Sequence, residues 1–118
     1  MTIARADLLG RHCRACEGGV PPLTSTQVHD YLKELADWHL TGDGRRIRRE
    51  WVAKDFVTAL DFFARIAAVA EAEGHHPDLH LTDYRNVAVE LWTHALGALS
   101  ENDFILAARI DALPIETK

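Results

Sequence analysis

The chain has no long apolar run, few cysteines and a deficit of basic residues. No stretch approaches the roughly 18 consecutive apolar residues of a membrane-spanning helix, so no membrane partner is expected. The first ten residues carry Arg5 and Asp7 and no extended apolar core, so no secretory signal is expected there. Lys and Arg number 13 against 18 Asp and Glu, a formal charge of −5. That balance argues against nucleic acid or an anionic membrane surface as the main partner. The two cysteines, Cys13 and Cys16, form a single Cys-x-x-Cys. A closed zinc site needs four ligands and no second pair exists, so the pair reads as structural or incidental before it reads as a metal or redox site. Without an export signal the thiols are expected to be reduced and the protein cytoplasmic. Internal repeats and low-complexity segments are also absent.

What is present suits one domain. A chain of 118 residues that is 47% hydrophobic can bury one real core and has little to spare for a second. Residues 1–21 read as an N-terminal extension holding the cysteines and closing in a Gly-Gly and Pro-Pro loop. The domain proper is expected over 22–118. Thr24-Ser25-Thr26-Gln27 has the form of a capping box and predicts a helix to about Ala36. Trp38 to Ala53 predicts a hairpin around the turn Thr41-Gly42-Asp43-Gly44. Its second strand carries Arg45, Arg46, Arg48 and Arg49, which in an acidic chain read as a polar strand face rather than a phosphate site, with Ile47 and Trp51 turned to the core. Asp55 caps the main helix, whose predicted core stripe is Phe56, Leu60, Phe63, Ala67 and Ala70, widened by Val57, Ile66 and Val69. Gly74 is the predicted C-cap.

A short extended segment, Asp78 to Thr82, and a strand from Asn86 to Thr93 follow, with Val87, Val89 and Leu91 on one face. Trp92, on the other, is expected to be an exposed aromatic at an interface or a site wall. Ser100 and Asp103 form a second capping box, opening a last helix with Phe104, Ile105, Ala108 and Ala112 as its buried face. The element order is α-β-β-α-β-β-α. Strand pairs close in sequence predict an antiparallel sheet, and the economical packing is α+β, a four-stranded antiparallel sheet with three helices on one face. The uncovered face and edges favour self-association.

The chemistry concentrates in Glu71-Ala72-Glu73-Gly74-His75-His76-Pro77-Asp78-Leu79-His80. Imidazole exchanges protons near neutral pH. Pro77 keeps His76 out of the helical region, so the pair sits where a helix stops. Glu71 lies one helical turn before His75, close enough to orient an imidazole. His94, at the end of the last strand, can converge on the pair, with Asp103 close by in sequence. Two neighbouring imidazoles resist being protonated together, which makes one base and one acid a natural state. That suits a dehydration, where one group protonates a leaving hydroxyl and another takes a proton from the adjacent atom. A metal site from His75, His76 and His80 is the rival reading. His76 and His80 would lie about 13 Å apart in an extended segment, too far for one ion without a sharp bend, and no His-Glu-x-x-His is present. A structural or merely solvent-exposed cluster is the third reading.

These residues also resemble a known family, the pterin-4a-carbinolamine dehydratases. The family pattern is an acid or other polar residue, three residues, His-His-Pro, an aromatic further on, then a His and an Asp. It falls here on Glu71, His75-His76-Pro77, Tyr84, His94 and Asp103, and the likeness covers roughly 22–113. The resemblance implies dehydration of 4a-hydroxytetrahydropterin to quinonoid dihydropterin, which recycles the cofactor of aromatic amino-acid hydroxylases. It implies no metal and no organic cofactor, and a homodimer or homotetramer. By the same likeness His75 and His94 are the principal acid–base pair and His76 binds and polarises the pterin. Pro77 and Thr93 line the pocket, and Glu71 and Asp103 orient imidazoles. Gly74 and Leu79 stand where some members carry an acid and a Trp. Relatives of this fold also serve as non-catalytic interaction or assembly modules, and the same pocket could serve molybdopterin metabolism. The intact histidine set favours the enzyme.

Overall fold

The computed structural model of the chain describes residues 5–13 and 21–118. Cys16, and with it the expected cysteine pair, and the Gly18-Gly19 loop lie outside the described residues. The elements are α1 (Arg5–Leu9), α2 (Ser25–Glu34), β1 (His39–Leu40), β2 (Ile47–Val52), α3 (Phe56–Glu73), β3 (Asp78–Thr82), β4 (Asn86–Leu91) and α4 (Glu101–Asp111). The strands form one open antiparallel sheet in the order β1-β2-β4-β3. The two hairpins of the sequence therefore meet along β2 and β4, with Ile47 opposite Leu91 and Trp51 opposite Val87. The expected α+β architecture is present, with one difference: the described residues hold four helices rather than three, because the N-terminal segment contributes α1.

Period-two alternation separates the two faces of the sheet. Ile47, Trp51, Val87, Val89 and Leu91 join Phe62, Ile66, Phe104 and Leu106 of the helices in one buried cluster. Burial of each such large side chain stabilises the fold by about 1.5–3 kcal/mol. Trp38, Trp51 and Phe62 meet edge to face, at 6.1 and 5.0 Å between ring centroids. The open face carries Arg48, Glu50, Glu90 and His80. Glu90 accepts from Arg48 at 2.6 Å and from Arg46 at 3.1 Å, so two of the four strand arginines form a cross-strand ion cluster. Arg49 departs from the expected polar face. It shares the parity of Ile47 and Trp51, stacks on the Trp51 ring at 4.5 Å and donates to Asp111 at 2.6 Å.

Two helical faces differ from the prediction. In α3 the buried residues are Ala59, Phe62, Ile66 and Ala70, whereas Phe56, Val57 and Leu60 are 48%, 64% and 44% exposed. The helix is apolar on most of its circumference, so periodicity alone does not choose between two stripes. The small Ala59 and Ala70 lie on the stripe turned inward. In α4 every residue from Asn102 to Ala108 is buried, not one stripe, and Ala112 is outside the helix and exposed. Helix α1 packs on α4 and inserts the fully buried Leu8 into the core, which covers a face that would otherwise meet water. Helix α2 begins at the predicted box, with Thr24 and Gln27 capping each other, and ends slightly early at Glu34.

Candidate active site

The end of α3 sets the site. Asp55 caps the start of this helix by accepting from the Thr58 backbone at 2.8 Å. Gly74 ends it at φ 66°, a left-handed conformation that L side chains resist. The turn sends the two histidines in opposite directions. His75 is 5% exposed and its backbone N–H still donates to Ala70 O. His76, held out of the helix by Pro77, keeps 61% of its side chain exposed.

His75 Nε2 lies 2.6 Å from Asp103 Oδ1, although the two are 28 residues apart. Asp103 is fully buried in the first turn of α4, where the helix dipole favours a carboxylate. Its other oxygen accepts from Thr93 Oγ1 at 2.9 Å and from the Ser100 backbone at 2.9 Å. A carboxylate only accepts, so His75 carries its proton on Nε2 in this pair. Thr93 spends its hydroxyl proton on Asp103, so at the 2.7 Å Thr93–Ser100 contact Ser100 is the donor. The result is a buried, ordered chain Ser100–Thr93–Asp103–His75. The predicted capping box thus has two roles: the residue that closes the first turn of α4 also holds the imidazole.

Glu71 meets His76, not His75: Oε2 lies 2.6 Å from His76 Nε2 at the surface. Counted along a helix, residue 75 is the neighbour of residue 71, but the left-handed Gly74 turns the chain and brings residue 76 there instead. Beside this pair is an open apolar depression of about 260 Å³ lined by Ile66, Ala67, Ala70, His76, Pro77 and Leu79. His94 follows Thr93 directly and is exposed, so one peptide bond joins it to the buried chain. Its loop is folded back by Thr93 N–H donating to Ala98 O, with Gly97 at φ 61°. The His94 ring lies 4.4 Å from the Trp92 ring, and the Arg46 guanidinium sits 4.5 Å from the centre of the same indole. Trp92 is therefore half-buried between two polar side chains, not the exposed aromatic expected. Among the described residues, no group of three or more His, Cys, Asp or Glu is arranged to hold a metal ion.

Three participants carry no signal of their role in the sequence. Ser100 is legible only as a cap, since its link to Thr93 depends on the fold-back after β4. Arg46 looks like one member of a polar row. Glu73 looks like a helix end, yet its side chain is 7% exposed and bound by His12, 3.0 Å away. Burial pushes the Glu73 carboxyl up, but the His12 and Cys13 hydrogen bonds and the Arg109 charge outweigh it and hold it below its ordinary value.

A buried carboxylate–imidazole pair lies beside a surface imidazole, with a further histidine on an adjoining loop, and imidazoles exchange protons near neutral pH. The model of the family described as Pterin 4 alpha carbinolamine dehydratase matches residues 21–113, and the chain belongs to that family. The chain is 46% identical over 114 residues to a protein named pterin-4-alpha-carbinolamine dehydratase 2, mitochondrial, from Arabidopsis thaliana. That match covers 94% of this chain and 61% of the plant protein, so the chain spans less than two thirds of that relative. A putative pterin-4-alpha-carbinolamine dehydratase from Halorhodospira halophila is 43% identical, covering 90% of this chain and 96% of that one. Among solved structures, a transcriptional coactivator/pterin dehydratase from Brucella melitensis superposes with a TM-score of 0.73 at 33% identity, over 78% of this chain and 97% of that one.

Proposed function

We propose that the chain dehydrates a 4a-hydroxytetrahydropterin to quinonoid dihydropterin and water. The observation that carries this reading is the buried His75–Asp103 pair at 2.6 Å next to the His76–Pro77–Leu79 depression. The C4a–O bond breaks as one group gives a proton to the leaving hydroxyl. A second group takes the proton from N5, and a C4a–N5 double bond forms. One proton is delivered and one is removed, so two groups and no redox partner suffice. His75 and His94 are the acid–base pair. Asp103 fixes the orientation and tautomer of the His75 ring, as the buried carboxylate does in a catalytic triad. His76, tied to Glu71, binds and polarises the pterin. Pro77 lines the depression, whereas Thr93, expected beside it, is fully buried and acts from within by holding Asp103.

The exposed Phe56, Val57 and Leu60 on α3 support association of the chain with a second copy, as a homodimer or homotetramer. The same stripe also supports the second reading, a protein-interaction role, which accords with the Brucella protein being named a transcriptional coactivator as well as a pterin dehydratase. A cytoplasmic location suits reduced thiols, although the Arabidopsis relative is named as mitochondrial.

A coupled assay tests the proposal. An aromatic amino-acid hydroxylase turning over with tetrahydropterin accumulates the 4a-hydroxy adduct, which is read by its ultraviolet absorbance. The chain should abolish that accumulation, and a His75→Ala/His94→Ala double variant should not. Undiminished accumulation with folded wild-type protein would refute the reading.

A further inference from the structure

The segment Arg11–Cys13 lies outside the matched region 21–113, yet it is bound to both elements that carry the His75–Asp103 pair. On the α3 side, the Cys13 backbone N–H donates to Glu73 Oε1 at 2.8 Å, and His12 Nδ1 lies 3.0 Å from Glu73 Oε2. On the α4 side, Arg11 donates to Glu101 at 2.7 Å and Cys13 Sγ lies 3.5 Å from Asn102 O. Arg109 of α4 closes the clip: its Nη2 donates to Arg11 O at 2.6 Å and its Nε lies 3.8 Å from Glu73 Oε1. Glu73 is two residues before His75, and Glu101 and Asn102 immediately precede Asp103. Both oxygens of a nearly buried carboxylate are thus committed to a segment distant in sequence.

We propose that Arg11–Cys13 is a strap that positions His75 against Asp103, acting through Glu73. The physical logic is leverage. Gly74 is a single left-handed residue between Glu73 and His75, so a shift of the Glu73 end of α3 passes directly to the imidazole. The strap, the Arg109–Glu73 ion pair and the His75–Asp103 bond all tie this end of α3 to α4, so loss of the strap shifts load onto the others. Glu73, Arg11 and His12 lie outside the lining of the His76–Pro77 depression, so they are positioning residues. The kinetic consequence rests on the dehydratase reading, whereas the geometric one does not.

The test uses full-length variants. Glu73→Ala removes both strap bonds. Glu73→Gln keeps an oxygen for the Cys13 N–H and loses the charge. Arg11→Ala loosens the α4 side alone. Val28→Ala, in the α2 core, is the control for general destabilisation. For Glu73→Ala we expect kcat to fall about tenfold with KM little changed, because misplacement rather than lost binding is at fault. Glu73→Gln should restore most of that loss, Arg11→Ala should lower kcat in the same direction by less, and Val28→Ala should lower Tm and leave kcat intact. In parallel, the low-field imidazole N–H resonance of His75, hydrogen-bonded to Asp103, should move upfield or broaden in Glu73→Ala and stay in Val28→Ala. A Glu73→Ala protein with wild-type kcat and an unmoved resonance overturns the proposal. So does a Val28→Ala protein that loses both equally, since the effect would then be loss of stability. Should Glu73→Ala fail to fold, the same two readouts on Arg11→Ala decide. If the wild type shows no dehydration, that failure belongs to the functional reading, and the resonance alone decides for or against the strap.

Discussion

Replacing Asp103 by Asn separates chemistry from folding. Asp103→Ala would strand the Thr93 hydroxyl, the Ser100 N–H and the His75 N–H, each a buried group. At about 1–3 kcal/mol per unsatisfied group, the sum rivals the ~5–15 kcal/mol that holds a domain together. Asp103→Asn conserves shape. Its amide oxygen must face the two donors Thr93 Oγ–H and Ser100 N–H, because turning the NH2 toward them would oppose donors to donors. Two charge-assisted bonds become neutral ones, at a cost of about 1–3 kcal/mol in total, which the fold survives. The NH2 is then aimed at His75 Nε2, which must accept and so move its proton to Nδ1. The imidazole stays in place in the wrong tautomer and without the Asp103 charge. Loss of one acid–base component lowers kcat by the order of 10²–10⁴-fold. Urea denaturation, stopped-flow turnover and the nitrogen chemical shifts of His75 read the three effects separately. A folded Asp103→Asn protein that turns over within about threefold of wild type would refute the assigned role, since even the low end of an acid–base contribution is larger.

Other consequences follow from single residues. Gly74→Ala forces a side chain into φ 66°. With nothing within 4 Å of the added Cβ, the cost is conformational, about 1 kcal/mol, and it should show as a lowered urea midpoint together with a reduced kcat. Paired Phe56→Glu and Leu60→Glu substitutions place charge on the exposed α3 stripe. Light scattering should report a smaller assembly than wild type with an unchanged circular dichroism spectrum, and an unchanged mass would remove the stripe as the self-association surface. Glu90 is pushed up by burial, but the Arg48 and Arg46 hydrogen bonds prevail and hold it below its ordinary 4.5. Its contribution is therefore complete above pH 4.5 and is lost as the pH falls through the lower folded value. The stability difference between wild type and Glu90→Gln should accordingly be largest near neutrality and shrink toward acid, as read by urea unfolding at several pH values.

The legible parts of the fold are those governed by local chemistry. Capping residues at Thr24, Asp55, Gly74 and Ser100, and the alternation of Val87, Val89 and Leu91, each obey rules that act over a few residues, and the structure places an element boundary or a buried face at each. The illegible parts need a partner surface. Which α3 stripe turns inward is settled in the core, where Ala59, Phe62 and Ile66 are buried. The all-round burial of α4 depends on α1, which lies almost a hundred residues away in sequence. At the site, the His-His-Pro turn and Asp103 stand out because the proline ends the helix and the acid stands at a capping-box position. The partner of Glu71 does not, since helical counting fails across a left-handed glycine. Nor do Ser100 and Glu73, whose roles come from contacts made only after the chain has closed.

Acid–base dehydration by the histidines is tested most directly by mixing chemically generated 4a-hydroxytetrahydropterin with the chain in a stopped-flow spectrometer and following the ultraviolet decay. Wild type should accelerate loss of water well above the buffer rate, with a bell-shaped pH profile, and His75→Ala/His94→Ala should return the decay to the buffer rate while remaining folded. Decay at the buffer rate with folded wild-type protein, or full acceleration by the double variant, would contradict that chemistry.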